Sequence, residues 1–238
     1  MIRRIVEAID PKAGECVVEI GPGGGALTRP LLERGVALQV IEIDRDLAAR
    51  LGEAHGESLR VHCADALHFD FGTLPPGARI VGNLPYNIST PLLFHLARWA
   101  GSFRDLHIML QREVVERMVA RPSTPDYGRL SVMLQRLFRM QLLFRVAGGA
   151  FTPPPEVESA IVRLAPVPES ERAPVDERVF ADIVRRAFSA RRKTLRNALG
   201  LEDDALRALG LEPKLRPENL SLEDYVRVAN FVSAACAR

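Results

Sequence analysis

The strongest constraint on the fold is an alternation that repeats through the first two-thirds of the chain. Cys16-Val17-Val18-Glu19-Ile20 reads as a buried strand, stopped by Gly21-Pro22-Gly23-Gly24-Gly25. Residues 26–34 then have helical spacing. Further strand-like runs occupy 37–43, 59–63, 78–82 and 106–110, and helix-like runs 45–54, 90–99 and 112–120. Strands covered on both faces read as near-continuous apolar runs, and parallel neighbours need a crossover long enough for a helix. The pattern therefore predicts an α/β fold, a Rossmann-like sheet with helices on both faces. Runs at 140–146 and 157–164 complete the sheet. Pro166-Val167-Pro168 reads as a linker, and beyond it the apolar spacing is helical at 179–190, 192–199, 205–209 and 221–234. Two domains are expected, residues 1–165 and a small all-α domain at 166–238.

Composition narrows the class further. The 238 residues suffice for a self-contained core. A hydrophobic share of 47% with 26% charged residues excludes disorder and collagen. The 32 basic and 30 acidic residues give a net charge of only +2, which excludes a polybasic tail protein. It does not exclude a nucleic-acid partner, because a basic face can be offset by acids elsewhere. Cys16, Cys63 and Cys236 form neither a disulfide framework nor a C-x-x-C pair, which suits a reducing compartment. No signal peptide is apparent, and no apolar run approaches the ~20 residues of a membrane span. A cytoplasmic protein with no membrane partner is expected. The five histidines show no ligand spacing, so no metal site is expected.

The glycine loop lies between a strand and a helix, where a backbone free of side chains can approach a ligand. Gly21-x-Gly23-x-x-Ala26 satisfies the dinucleotide fingerprint, and Glu42 follows at the end of the next strand, placed to accept both hydroxyls of a ribose. Asp65, just after the third strand, could take an adenine amino group or be an ordinary loop acid. These residues suit an adenosine cofactor but do not separate NAD from another.

Val81-Gly82-Asn83-Leu84-Pro85-Tyr86-Asn87 decides between chemistries. Asn83 carries an amide carbonyl. Pro85 has no N–H and a fixed φ, so the carbonyl of Leu84 before it can serve as a second acceptor. Tyr86 offers a flat face. Two acceptors and a stacking surface match an exocyclic amine on a base and have no use in hydride transfer. Farther on, Arg185, Arg186, Arg191, Arg192, Lys193 and Arg196 form an acid-free cluster in which Arg192 and Arg196 would share a helix face. Arg129, Arg136, Arg139 and Arg145 form a second group. Both groups could meet phosphate; a solvated helix face is the alternative.

Taken in order, Glu19-Ile20-Gly21-Pro22-Gly23, Glu42, Asp65 and Asn83-Leu84-Pro85-Tyr86-Asn87-Ile88-Ser89 resemble the KsgA-type ribosomal RNA adenine dimethyltransferases. The resemblance continues through Met109-Leu110-Gln111-Arg112-Glu113-Val114, Tyr127-Gly128-Arg129-Leu130-Ser131-Val132 and Phe151-Thr152-Pro153-Pro154-Pro155-Glu156-Val157-Glu158-Ser159-Ala160. It ends in Arg191-Arg192-Lys193-Thr194-Leu195-Arg196-Asn197 and Glu218-Asn219-Leu220-Ser221. It implies a class I methyltransferase sheet, S-adenosylmethionine as donor, and N6 of two adjacent adenosines in a hairpin loop near the 3′ end of small-subunit rRNA as acceptor. It further implies a role in small-subunit biogenesis and a monomer whose partner is the small ribosomal subunit. By the motif match, Gly21, Gly23, Glu42, Asp65 and Asn83 correspond to cofactor-binding positions. Asn83, Leu84, Pro85 and Tyr86 correspond to the target-adenine site. Phe151 matches an aromatic on the base's other face; read from the residues alone it could equally anchor its proline-rich loop in the core.

The sequence departs from the family pattern at its start. A basic segment with a Gly-Gln-Asn-Phe-Leu-like motif is expected before the first helix, whereas Met1-Ile2-Arg3-Arg4-Ile5-Val6 reads as already inside that helix. Weaker cofactor binding and slower turnover are expected than in a chain bearing the segment. Two alternatives remain: an assembly factor that docks on immature small subunits with little catalysis, and a large-subunit rRNA methylase of the antibiotic-resistance type.

Overall fold

The computed structural model describes residues 1–147 and 157–236. Seven strands form one sheet in the order β3-β2-β1-β4-β5-β7-β6. They are β1 (Cys16–Ile20), β2 (Ala37–Glu42), β3 (Leu59–Cys63), β4 (Ala78–Asn83), β5 (Phe103–Gln111), β6 (Phe138–Val146) and β7 (Ser159–Pro166). The first five strands run parallel, while β7 is antiparallel to both β5 and β6. The first five strands pair in parallel as the alternation with helices implies, and the two strands that complete the sheet add antiparallel pairing at this edge. Periodicity reports burial on both faces but not strand direction.

The order reverses between β1 and β4. The chain leaves β1 toward β2 and β3, then returns to the other side of β1 for β4 and β5. Such a switch point leaves a crevice outside the carboxyl ends of the two strands. Here β1 ends in the glycine loop, β2 in Glu42 and β4 in Asn83.

The helices are α1 (Ile2–Ile9), α2 (Thr28–Leu32), α3 (Arg45–His55), α4 (Ser89–Ala97), α5 (Arg112–Val119), α6 (Arg129–Gln135), α7 (Glu177–Ser189), α8 (Leu195–Leu199), α9 (Asp203–Ala208) and α10 (Leu222–Cys236). Helix α2 is shorter than the sequence pattern, because Gly23 to Leu27 stay in turns. Among the described residues α6 is the helix the sequence reading omits. Helix α1 presents Ile5, Val6 and Ile9 to Val17, Val81 and Met109 of the sheet.

The chain divides into two compact units. One comprises Met1–Val115 with Phe138–Pro166, the other Glu116–Leu137 with Val167–Arg238. The second unit opens next to the expected linker at 166, but it also takes in residues 116–137, which a linear division leaves with the sheet. Its core gathers Tyr127 and Val132 with Phe180, Leu195 and Tyr225. Tertiary packing, invisible to local periodicity, joins the two segments. No described helix is long and apolar enough to cross a membrane.

Candidate active site

The glycine loop is shaped by backbone demands that only glycine meets cheaply. Gly21 and Gly23 have φ of +66° and +53°. The Gly21 N–H donates to the Ile41 carbonyl at 2.9 Å, and the Gly25 N–H closes the turn onto Pro22 at 2.9 Å. Gly82 is needed for another reason. A Cβ there would lie 2.6 Å from the Ile20 carbonyl oxygen. Its absence lets β1 and β4 close up directly beneath the crevice.

Glu42 is held against the loop. One carboxylate oxygen accepts the Gly23 N–H at 3.2 Å and the other the Asp44 N–H at 3.0 Å. Asp44 caps α3 as its neighbour, accepting from the Asp46 and Leu47 amides at 2.9 and 3.1 Å. An ionised carboxylate has about four lone-pair directions, so Glu42 keeps capacity for two hydroxyl donors. Asp65 accepts the Leu67 N–H at 2.9 Å and lies 2.9 Å from His68 Nδ1. The Leu67 amide and then His68 hold its carboxyl below the ordinary range.

The Asn83–Tyr86 turn is anchored through its backbone. The Leu84 N–H donates to the Met109 carbonyl at 3.1 Å and the Ile88 N–H to that of Pro85 at 3.2 Å. Ser89 Oγ donates to the Tyr86 carbonyl at 3.1 Å. Leu84 is buried as the peg of the turn, whereas Asn83, Pro85 and Tyr86 are exposed. The Tyr86 hydroxyl meets Ser159 Oγ at 3.2 Å.

Between α1 and the sheet lies a cavity of about 410 Å³, lined by Gly21, Gly23, Asn83, Glu19, His107 and apolar residues including Met109. Glu19 is almost fully buried and accepts from Thr28 Oγ1 at 2.6 Å. Burial pushes its carboxyl up to about 7 against that hydrogen bond. His107 is also buried, with Nδ1 3.6 Å from Asp105 Oδ1, too long for a hydrogen bond. Asp105 is gripped by Nε and Nη2 of Arg79 at 2.8 and 3.0 Å. The neighbouring imidazole and guanidinium hold its carboxyl far below the ordinary range despite burial. Sequence reasoning missed Thr28, His107 and Ser159. A charged residue inside an apolar strand, as at Glu19 and Asp105, is the signal that points to this polar floor.

The cationic cluster is largely committed to the protein itself. Arg185 pairs with Asp182, and Arg186 donates to the Leu199 carbonyl at 2.6 Å. Arg191 binds Glu218 at 2.7 Å and the Pro125 carbonyl, and Arg196 lies 3.7 Å from Asp203. Arg192 and Lys193 are exposed, with no ion pair among the described residues. Helix α7 ends at Ser189 and α8 begins at Leu195, so Arg192 is not helical and shares no helix face with Arg196. In the second group Arg136 is buried, forked onto Glu177 and 5.2 Å from the Phe180 ring centre. It builds the helical core, correcting its reading as a phosphate contact. Phe151 lies outside the described residues. The described residues hold no cluster of three or more metal-ligating side chains.

The family model for ribosomal RNA adenine dimethylase matches residues 1–234. The chain belongs to the ribosomal RNA adenine dimethylase family. Among curated members it is 56% identical to ribosomal RNA small subunit methyltransferase A of Aromatoleum aromaticum, over 100% of this chain and 91% of that protein. It is 57% identical to the protein of the same name from Thiobacillus denitrificans, over 98% and 92%. Among solved structures, a dimethyladenosine transferase from Plasmodium falciparum superposes with a TM-score of 0.85 at 25% identity, covering 98% of this chain and 95% of that one. The 23S rRNA methyltransferase ErmE gives 0.72 at 26%, covering 98% and 96%. As a family member the chain is a methyltransferase with the α/β Rossmann-like fold of class I enzymes.

Proposed function

We propose that this protein transfers methyl groups from S-adenosylmethionine to N6 of two adjacent adenosines in a hairpin loop near the 3′ end of small-subunit rRNA. The observation that carries this reading is the Asn83–Tyr86 turn: Asn83 lines the cavity together with Gly21 and Gly23, and the same turn exposes an aromatic residue, Tyr86. The small-subunit names of relatives above half identity favour it over the large-subunit alternative.

The site fits an adenosine donor. Glu42 would hold the ribose hydroxyls, Asp65 the adenine amine, and Gly21 and Gly23 leave room for a chain along the loop. When bound, the donor supplies an electrophilic sulfonium methyl. The protein's own work lies on the acceptor. An amine conjugated to a purine ring is a poor nucleophile. Acceptors at Asn83 and at the Leu84 carbonyl favour its pyramidal form with the lone pair free, and Tyr86 stacks on the base. No dedicated base is required, because the methylated ammonium is acidic enough to lose its proton to water. Positioning supplies most of the acceleration. Unstacking the target is cheapest in a loop. Arg192 and Lys193 of the helical unit would meet RNA phosphate.

The test is labelled-methyl transfer to undermethylated small subunits, large subunits and DNA. Label only in small-subunit adenosines is expected; label only in large subunits or DNA refutes the reading. Asn83→Ala is expected to retain subunit binding while transfer falls about 10²-fold or more, the scale of removing one transition-state hydrogen bond. An assembly factor without catalysis would be indifferent to that change.

A further inference from the structure

The bonds that anchor the Asn83–Tyr86 turn are made by its backbone, so they do not set the pose of the Tyr86 ring. Tyr86 is 39% exposed. A tyrosine turns about two side-chain torsions, and an exposed one explores several rotamers on a picosecond to nanosecond scale. A face meant to receive a base needs a restraint at the far end of the side chain. The Tyr86 hydroxyl, 3.2 Å from Ser159 Oγ, has one.

Ser159 is well suited to give it. It opens β7 and is only 1% exposed, so it cannot itself reach a large substrate. It sits opposite Gln111 of β5 and Val146 of β6, which fixes its Cα between two strands. The ring carried by the loop after β4 is thus registered on a different part of the sheet. We propose that Ser159 is a positioning residue for methyl transfer, holding Tyr86 by its hydroxyl so that the ring face is presented to the incoming adenine. The proposal rests on the functional reading above. Its logic is preorganisation: the ring is ordered in the folded protein rather than when the base arrives.

Full chains carrying 3-fluorotyrosine test this. The chain has three tyrosines, and Tyr127 and Tyr225 are fully buried, so the Tyr86 fluorine signal is assigned by its disappearance in Tyr86→Phe. In Ser159→Ala that signal should move toward free 3-fluorotyrosine, and Ser159→Thr should restore it. In methyl transfer Ser159→Ala should lower kcat about five- to tenfold, the scale of one hydrogen bond, with donor KM unchanged. Tyr86→Phe should cost as much, and the double variant no more than either single one. An unmoved fluorine signal, an unchanged kcat, or losses that multiply in the double variant would overturn the proposal. A wild-type chain that labels no small-subunit adenosine overturns the functional reading, and with it the purpose of the contact, whereas an unmoved signal refutes the contact itself.

Discussion

Glu19 shows what a single residue contributes at the floor of the site. It is an acid in an apolar strand, satisfied by one hydroxyl and surrounded by the cavity and the sheet. Its ordinary value of 4.5 describes the unfolded chain, and the folded value of about 7 means that the folded state binds the proton more tightly. The stability tied to that proton is fully present below about 4.5, declines as pH rises to about 7, and is absent above it. The shift corresponds to about 3 kcal/mol. Glu19→Gln keeps an acceptor for Thr28 and removes the charge. It is expected to raise stability above neutral pH by about 2–3 kcal/mol and to flatten the dependence between 4.5 and 7. Urea unfolding of both chains at about pH 5 and about pH 8 checks this; parallel pH profiles would contradict it.

At the scale of elements, the crevice depends on how closely β1 and β4 approach. Ile20 and Gly82 are register partners, and a methyl at Gly82 would meet the Ile20 carbonyl at 2.6 Å. A backbone oxygen in a parallel ladder cannot move aside without breaking its bonds. Gly82→Ala is therefore expected to cost about 1–3 kcal/mol in denaturant unfolding. It should also weaken binding of a non-transferable donor analogue by calorimetry, because Gly21 and Asn83 extend from those two strands. Unchanged values in both measurements would show that the strands part without consequence. The short helix α2 belongs to the same logic. The loop has to remain in turns through Leu27 to bring Gly23 onto Glu42, so helical spacing from residue 26 overstates the helix.

For the whole molecule, the question is how a chain of net charge +2 engages RNA. Arg185, Arg191 and Arg196 of the 185–196 cluster pair with acids of the helical unit and Arg186 binds a backbone carbonyl, whereas the exposed Arg192 and Lys193, between α7 and α8, make no ion pair among the described residues. Reversing both, Arg192→Glu with Lys193→Glu, is expected to weaken small-subunit RNA binding. The slope of log K against log salt should become shallower by about two, near one for each phosphate no longer neutralised. Donor-analogue binding should not change. An unaltered salt slope would place the RNA surface elsewhere.

Local patterns in the sequence determined the α/β class, most strand positions, the glycine loop, Glu42 and the Asn83–Tyr86 turn. Each rests on burial periodicity or backbone conformation within a few neighbouring residues. Glycine at Gly21, an acid at a strand end and a proline at Pro85 speak for themselves. Only the tertiary structure decided that β7 runs antiparallel, that residues 116–137 join the helical unit, that Arg136 is a core residue, and that Ser159 meets Tyr86. Those features pair groups far apart in the chain; the Tyr86–Ser159 hydrogen bond spans 73 positions. A single sequence carries no local trace of such partners. Their meeting is set by packing of the sheet and of the helical core, where burial, charge and hydrogen bonding are satisfied together.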